Sequence, residues 1–352
     1  MKWSEESLRE VLKEVKLPAQ KANIFEAGQF IGFEQKEKSL LIQIQLPARE
    51  ATFEKSLEFQ IKKALQAKDA AVEVAIDFVS PESVKSKKPK IGSIILVGSG
   101  KGGVGKSAIT VNLAATLKQK AYRVGILDCD LYGPSIPTML GVEGQKPFIL
   151  DGKIQPIDAH GMKIMSAGFF LEEGQGLVWR GPMIHKLIQQ FYQDVDWDGT
   201  DVLLIDLPPG TGDAPLSISQ SFPINGALLV SLPQKISLID VHKAYAMFQQ
   251  VKIPVFGLIE NMSEFICPHC EKTSEIFPKG GVKDFAKKLQ IPFLGEIPIE
   301  PRVRQSSDRG IPFVMEYPEH PVSQAFSSLA ERIAPMIRMA DEEPQEAVSF
   351  VL

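Results

Sequence analysis

The sequence predicts an α/β fold, with a mainly parallel sheet covered by helices on both faces and a small α+β domain in front of it. Three observations carry that prediction. From Ile91 onward, near-continuous apolar runs alternate with helical segments, the pattern of strands buried on both faces. Between the first of those runs and an amphipathic helix lies a glycine-rich segment, GSGKGGVGKS (Gly98–Ser107). Before Ile91 the texture changes, and helical and strand-like patterns end in a polar joint.

The bulk composition sets limits. The 352 residues suffice for one large or two unequal domains, and 44% hydrophobic with 23% charged residues is ordinary for a globular chain. A net charge of −4 argues against broad electrostatic binding, so no nucleic-acid partner is expected. MKWSEESLREVLKEVK at the N-terminus has no apolar signal core, and no apolar run approaches the roughly 18 residues of a membrane span, so no membrane partner is expected. Three cysteines, Cys129, Cys267 and Cys270, read as thiols or metal ligands in a reducing, cytoplasmic setting.

The opening segment is helical in pattern. FIGFEQKEKSLLIQIQLP reads as a hairpin-like pair of strands, FEKSLEFQIKKALQ as an amphipathic helix, and AVEVAIDFV as an alternating strand. This is the small α+β domain, placed at 1–80. SPESVKSKKPK (Ser80–Lys90), with two prolines and four lysines, reads as a solvated linker, placed at 81–90. The α/β domain is expected over 91–340. Its strands are IGSIILV, YRVGILD, MKIMSA, DVLLIDLP, GALLVSLP, PVFGLIENM and PFLGEIP. Its helices are expected at Lys106–Lys120, Pro182–Val195, Ser237–Val251, Gly281–Gln290 and Val322–Met339. The acidic, proline-broken ADEEPQEAVSFVL is a fraying tail, placed at 341–352.

Gly100-Lys101-Gly102-Gly103-Val104-Gly105-Lys106-Ser107 satisfies G-x-x-x-x-G-K-[ST], in the strand–turn–helix context that a phosphate loop requires. Glycines let successive N–H groups face an anion, and the following helix N-terminus adds its dipole. Lys106 is expected to reach the β- and γ-phosphates of ATP, and Ser107 to ligate Mg²⁺. Asp206 follows the apolar run VLLI, the usual place of the acid that holds Mg²⁺. Asp128 and Asp130 end another strand, where alternation puts both on one side and Cys129 on the other. Asn261, at the end of PVFGLIENM, has the donor and acceptor to read adenine N6 and N7, but also suits a loop-capping Asn. Cys267-Pro268-His269-Cys270 presents two thiolates to one metal, and by itself is open between iron–sulfur, zinc and redox use.

Together GSGKGGVGKS, DCDLYGPSIPTMLG, WRGPMIHKLIQQF, IDLPPGTGD, ENMSEFICPHC and PFLGEIPIEPRVRQSSDRGIP resemble the Mrp/ApbC iron–sulfur cluster carrier ATPases. These are P-loop NTPases with the deviant loop GKGGVGK[ST], shared with MinD and the nitrogenase iron protein. The resemblance covers about Ile91 to Ala340. It implies ATP hydrolysis, homodimerisation, cluster binding and transfer of the cluster to apoproteins. It implies that Lys101 reaches the nucleotide of the facing subunit, that Asp130 orients or activates the attacking water, and that Asp128 supports the metal or the loop. It favours base reading by Asn261. The first domain resembles a degenerate iron–sulfur assembly domain, because no cysteine precedes Cys129.

An ATP-dependent cluster carrier is therefore the leading expectation. A ligand count adds that Cys267 and Cys270 hold half of one cluster, a [4Fe–4S] centre bridging two subunits. Two alternatives are a MinD/ParA-like positioning ATPase and a zinc-holding, nucleotide-gated binding module. The first is disfavoured by an acidic tail where a basic amphipathic helix would be needed, and the second by the absence of a second ligand pair.

Overall fold

The structure, a computed structural model, describes residues 3–13, 15, 23–25, 30–36, 39–45, 51–69, 72–79, 89–131, 133–150, 152–170, 181–212, 215, 216, 218, 222–267, 269, 270, 272–277 and 280–341. Most of the expected linker, the expected tail beyond Asp341, Pro268 and Asp213 lie outside these residues. The chain divides into two compact units, Met1–Lys88 and Pro89–Leu352.

The first unit contains α1 (Glu5–Leu12), β1 (Phe30–Lys36), β2 (Ser39–Gln45), α2 (Ala51–Lys68) and β3 (Glu73–Val79). Ser4 caps α1, exchanging hydrogen bonds with Ser7 in a capping box. β1 and β2 pair antiparallel, while β3 joins β2 in parallel, with α2 as the crossover between them. The core follows the two side-chain periods. Leu57, Ile61 and Leu65 form a stripe at four-residue spacing on α2, and Leu40, Ile42 and Ile44 alternate on β2, all buried. Each contributes roughly 1.5–3 kcal/mol relative to exposure.

The strands of the second unit are β4 (Ile91–Ser99), β5 (Val124–Asp128), β6 (Ile149–Leu150), β7 (Lys153–Ile154), β8 (Ile157–Ala159), β9 (Met162–Ser166), β10 (Thr200–Asp206), β11 (Gly226–Ser231), β12 (Val255–Ile266), β13 (Thr273–Ser274) and β14 (Phe293–Ile299). The helices are α3 (Lys106–Gln119), α4 (Ile136–Met139), α5 (Gly181–Gln193), α6 (Lys235–Gln250), α7 (Gly281–Leu289), α8 (Pro301–Asp308), α9 (Phe313–Glu316) and α10 (Pro321–Ile333). The order β14-β12-β11-β4-β10-β5-β9 is parallel throughout, with β8 antiparallel beside β9 and β13 antiparallel beside β12. The chain leaves β4 for β5 on one side, and returns through β11 and β12 on the other. Ligands of such sheets bind at the carboxyl ends where the winding reverses, and here that point is the end of β4.

The apolar runs read from sequence are the buried strands of this sheet, including Ile94–Val97, Val202–Ile205 and Leu228–Val230. One expected helix is shorter than its pattern. Val322–Met339 was read as a single helix, but α10 stops at Ile333 and a 3₁₀ turn follows at Ala334–Met336. Pro335 has no N–H to continue the ladder, and the Arg338 N–H is taken by Ser93 Oγ at 2.8 Å.

Candidate functional site

The phosphate loop leaves β4 after Ser99. A Cβ on Gly100 would collide with the backbone of Asp240 and Val241 in α6, so only glycine fits there. Gly103 and Gly105 take left-handed φ of 77° and 80°, which turns the chain sharply into α3. The loop is braced from behind. Ser99 Oγ donates to the Lys101 carbonyl at 3.0 Å, and the Gly210 N–H donates to the Ser99 carbonyl at 3.0 Å. The second bond ties the turn-rich Pro208–Gly212 segment to the loop. The result is a cavity of about 200 Å³ lined by the whole loop from Lys101 to Ser107, with Asp130, Ser135, Met139 and Pro209 facing it.

At the foot of the cavity, Lys106 Nζ lies 2.6 Å from Asp206 Oδ2, with both side chains almost fully buried. Ser107 Oγ donates to the same oxygen at 2.6 Å, and Thr110 Oγ1 donates to Asp206 Oδ1 at 2.8 Å. Both oxygens of Asp206 are thus engaged, and its charge is matched by the loop lysine. Ser107 and Asp206 form a close pair of hard oxygens, a donor set that suits Mg²⁺.

β5 ends at Asp128, so strand alternation does not extend to Asp130. Asp128 is turned wholly inside, while Asp130 lines the cavity. Burial, then the neighbouring Asp206, raises the Asp128 carboxyl to about 7, against the hydrogen bonds that it accepts. Cys129 is buried and faces away, and burial pushes its thiol up, with Asp128 adding to the effect.

Asn261 is buried and gives its amide to the loop. Its Nδ2 donates to the Val104 carbonyl at 2.8 Å, and a Cβ on Gly105 would collide with it. Of the two uses open to this residue, the geometry occupies the loop-holding one. The same strand, β12, runs on past Asn261 into a hairpin. Phe265 and Ile266 pair antiparallel with Ser274 and Thr273, and the Cys267 N–H donates to the Lys272 carbonyl at 3.0 Å. Cys267 and Cys270 sit at its tip, half-buried and exposed respectively. Hydrogen bonds from the His269 and Cys270 backbone, and then from the Cys270 thiol, lower the Cys267 thiol below its usual range. Among the described residues, no group of three or more His, Cys, Asp and Glu side chains is placed to hold a metal ion.

A phosphate loop and a thiol pair at a hairpin tip, joined by one strand, agree with the comparison to known proteins. A family model described as ParA: NUBPL iron-transfer P-loop NTPase matches residues 90–334. The chain belongs to this family. An iron–sulfur cluster carrier protein of Aquifex aeolicus is 44% identical over 259 residues, covering 73% of this chain and 71% of the relative. A protein of the same name from Helicobacter pylori is 34% identical over 350 residues, or 97% of this chain and 95% of that one. Among solved structures, a nucleotide-binding protein of Archaeoglobus fulgidus in complex with ADP is 42% identical with a TM-score of 0.58, covering 63% of this chain and 88% of that chain.

The chain is an ATP hydrolase by family, and its loop and Asp130 line one cavity at the carboxyl end of the sheet, with Asp206 buried beneath Lys106. Sequence reasoning missed two residues that hold the strand-end acids in place: Thr110 donates to Asp206 and Ser166 to Asp128. Thr110 carried a signal, since it lies four residues after Lys106 on one face of α3. Ser166, at the end of β9, carried none. Among the described residues no helix is long and apolar enough to cross a membrane.

Proposed function

We propose that this iron-transfer NTPase works in the cytoplasm as a pair of identical chains, each binding ATP and Mg²⁺ in its loop cavity. One [4Fe–4S] cluster is held between the two cysteine hairpins and handed to recipient apoproteins. The carrying observation is that Cys267 and Cys270 stand at a hairpin tip with no third ligand beside them among the described residues. A protein-held cluster normally takes four thiolates, and a two-fold axis brings the same hairpin from a second copy.

The chain's own residues divide the hydrolytic work. The N–H groups of Gly102 to Ser107 cradle the phosphates, and Lys106 turns from Asp206 to the phosphate oxygens. Ser107 and Asp206 would hold Mg²⁺, which when bound neutralises phosphate charge. Asp130, on the cavity wall, orients the attacking water. Lys101 of the second copy adds a cation as the two chains close, so hydrolysis waits on pairing. Asn261 secures Val104 through its amide, and its Oδ1 is the atom that would accept from the adenine amino group. Movement of the loop would be passed along β12 to the hairpin. The small domain at 1–80, joined by a linker at 81–90, serves as a docking or structural module without thiol chemistry.

Native mass spectrometry under anaerobic conditions tests the arrangement. One cluster per dimer is expected; a complete cluster on each isolated chain would overturn the bridging reading.

A further inference from the structure

Three adjacent parallel strands end at one level. The register sets Asp206 of β10 beside Asp128 of β5, and Asp128 beside Ser166 of β9. Asp206 is engaged by Lys106, Ser107 and Thr110, but Asp128 touches none of the loop's hydrogen-bonding groups described above and does not line the cavity. Its two oxygens have separate tasks. Oδ1 accepts the backbone N–H of Asp130 at 3.0 Å, and Oδ2 accepts the Ser166 hydroxyl at 2.9 Å. Ser166 Oγ in turn accepts the Gly168 N–H at 3.0 Å. A hydroxyl has one proton, so with Gly168 facing a lone pair the proton is aimed at Asp128. These residues lie at or just beyond the carboxyl ends of interior strands of the sheet, where Asp128 and Ser166 are completely buried.

We infer that Ser166 is a positioning residue for ATP hydrolysis: its hydroxyl pins the Asp128 carboxylate, which in turn anchors the backbone of Asp130 at the phosphate cavity. A carboxylate held at both oxygens cannot rotate, so the peptide that carries Asp130 is fixed as well. Without the hydroxyl, a buried carboxylate oxygen loses its donor, and the carboxylate turns away from the Asp130 N–H to find another. Ser166 makes no contact with the cavity, so nucleotide binding is left alone while the aim of Asp130 degrades. Small displacements of a group that positions a reactant cost tenfold or more in rate. This inference rests on the proposed water-orienting role of Asp130.

The test is steady-state ATP hydrolysis by the full chain carrying Ser166→Ala, and by the shape-matched pair Ser166→Thr and Ser166→Val, with nucleotide affinity measured by calorimetry. Ala and Val are expected to lower kcat about tenfold, with KM and ADP affinity within about twofold; Thr, which keeps the hydroxyl, is expected to retain kcat. Ser166→Ala should add little to Asp130→Asn, because both act on one group. Equal turnover by Thr and Val overturns the inference, and this pair decides should the Ala variant fail to fold. Full multiplication of the Ser166→Ala and Asp130→Asn losses overturns it too. Asp130→Asn alone separates the underlying reading: wild-type turnover there removes the role of Asp130, whereas loss of turnover there with unchanged Ser166→Val removes only that of Ser166.

Discussion

The phosphate loop and the cysteine hairpin lie at the same end of one sheet and are built on opposite principles. At the loop, the buried charges are matched within the chain. Lys106 meets Asp206, Ser107 and Thr110 fill the carboxylate, and Asn261 closes the back. At the hairpin, two thiols stand at an exposed tip with no third metal-ligating side chain grouped with them among the described residues. A buried, satisfied site keeps its shape between turnovers, because an unpaired buried group would cost 1–3 kcal/mol or more. An exposed, incomplete site binds only when something completes it, and lets go when that partner moves. The contrast suits a protein whose nucleotide site is permanent and whose cargo is not.

The largest expected effect breaks the hairpin alone. Cys267→Ala or Cys270→Ala should remove essentially all cluster iron, read by anaerobic iron and sulfide analysis. ATP hydrolysis by the same samples should stay within about twofold, since the cavity contains neither residue. Parallel loss of both properties would show that the two regions are one site. Next in size is Lys106→Ala, which removes the phosphate cation and leaves Asp206 buried beside fewer donors. ATP affinity should fall at least about a hundredfold by calorimetry. Chemical denaturation should show a stability loss on the order of 3 kcal/mol, the cost of stranding one partner of a buried pair.

Asp130→Asn should be narrower. Turnover is expected to drop roughly a hundredfold with ATP affinity nearly unchanged, because only the water loses its partner. A collapse of binding would make Asp130 part of the nucleotide anchor instead. Lys101→Ala should keep binding and lose turnover, and mixing it with Asp130→Asn should restore part of the activity. One cavity of a mixed pair then carries both lesions and the other carries neither. Mixed pairs that form but stay inactive would place Lys101 in its own subunit.

The smallest effect concerns pH. Burial, and then the neighbouring Asp206, raises the Asp128 carboxyl from its ordinary value of 3.8 to about 7. The folded chain therefore binds more protons than the unfolded one between those values, and this residue's contribution to stability declines as pH rises across that window. Asp128→Asn should raise the thermal midpoint at pH 8 by more than at pH 5. A midpoint difference that does not vary with pH would contradict the burial of a titrating carboxyl.

Legibility from sequence followed the range of the interaction. The loop was readable because its constraints are local: Gly103 and Gly105 need left-handed φ, and Lys106 and Ser107 start the helix that follows directly. Asp206 is readable as a strand-end residue, since an apolar run announces where its parallel strand stops, whereas Asn261, expected at a strand end, lies inside β12, which continues to Ile266. The loop-holding use of Asn261 was not selected in advance, because its partner, Val104, is 157 residues away. Thr110 shares a face of α3 with Lys106 but reaches Asp206 across 96 residues, and Ser166 reaches Asp128 across 38 with no periodicity to announce it.

By itself, the sequence determined the α/β class, the phosphate loop, the acids at the strand ends and the thiol pair, because backbone sterics, side-chain period and ligand chemistry act within a few residues. Only the tertiary structure decided which strand ends share a level, that Asp128 is buried while Asp130 reaches the cavity, and that the strand holding the loop is the one ending in the cysteine hairpin. Those outcomes depend on strand order and register, which arise when distant segments pack, and no short stretch of chain carries that information.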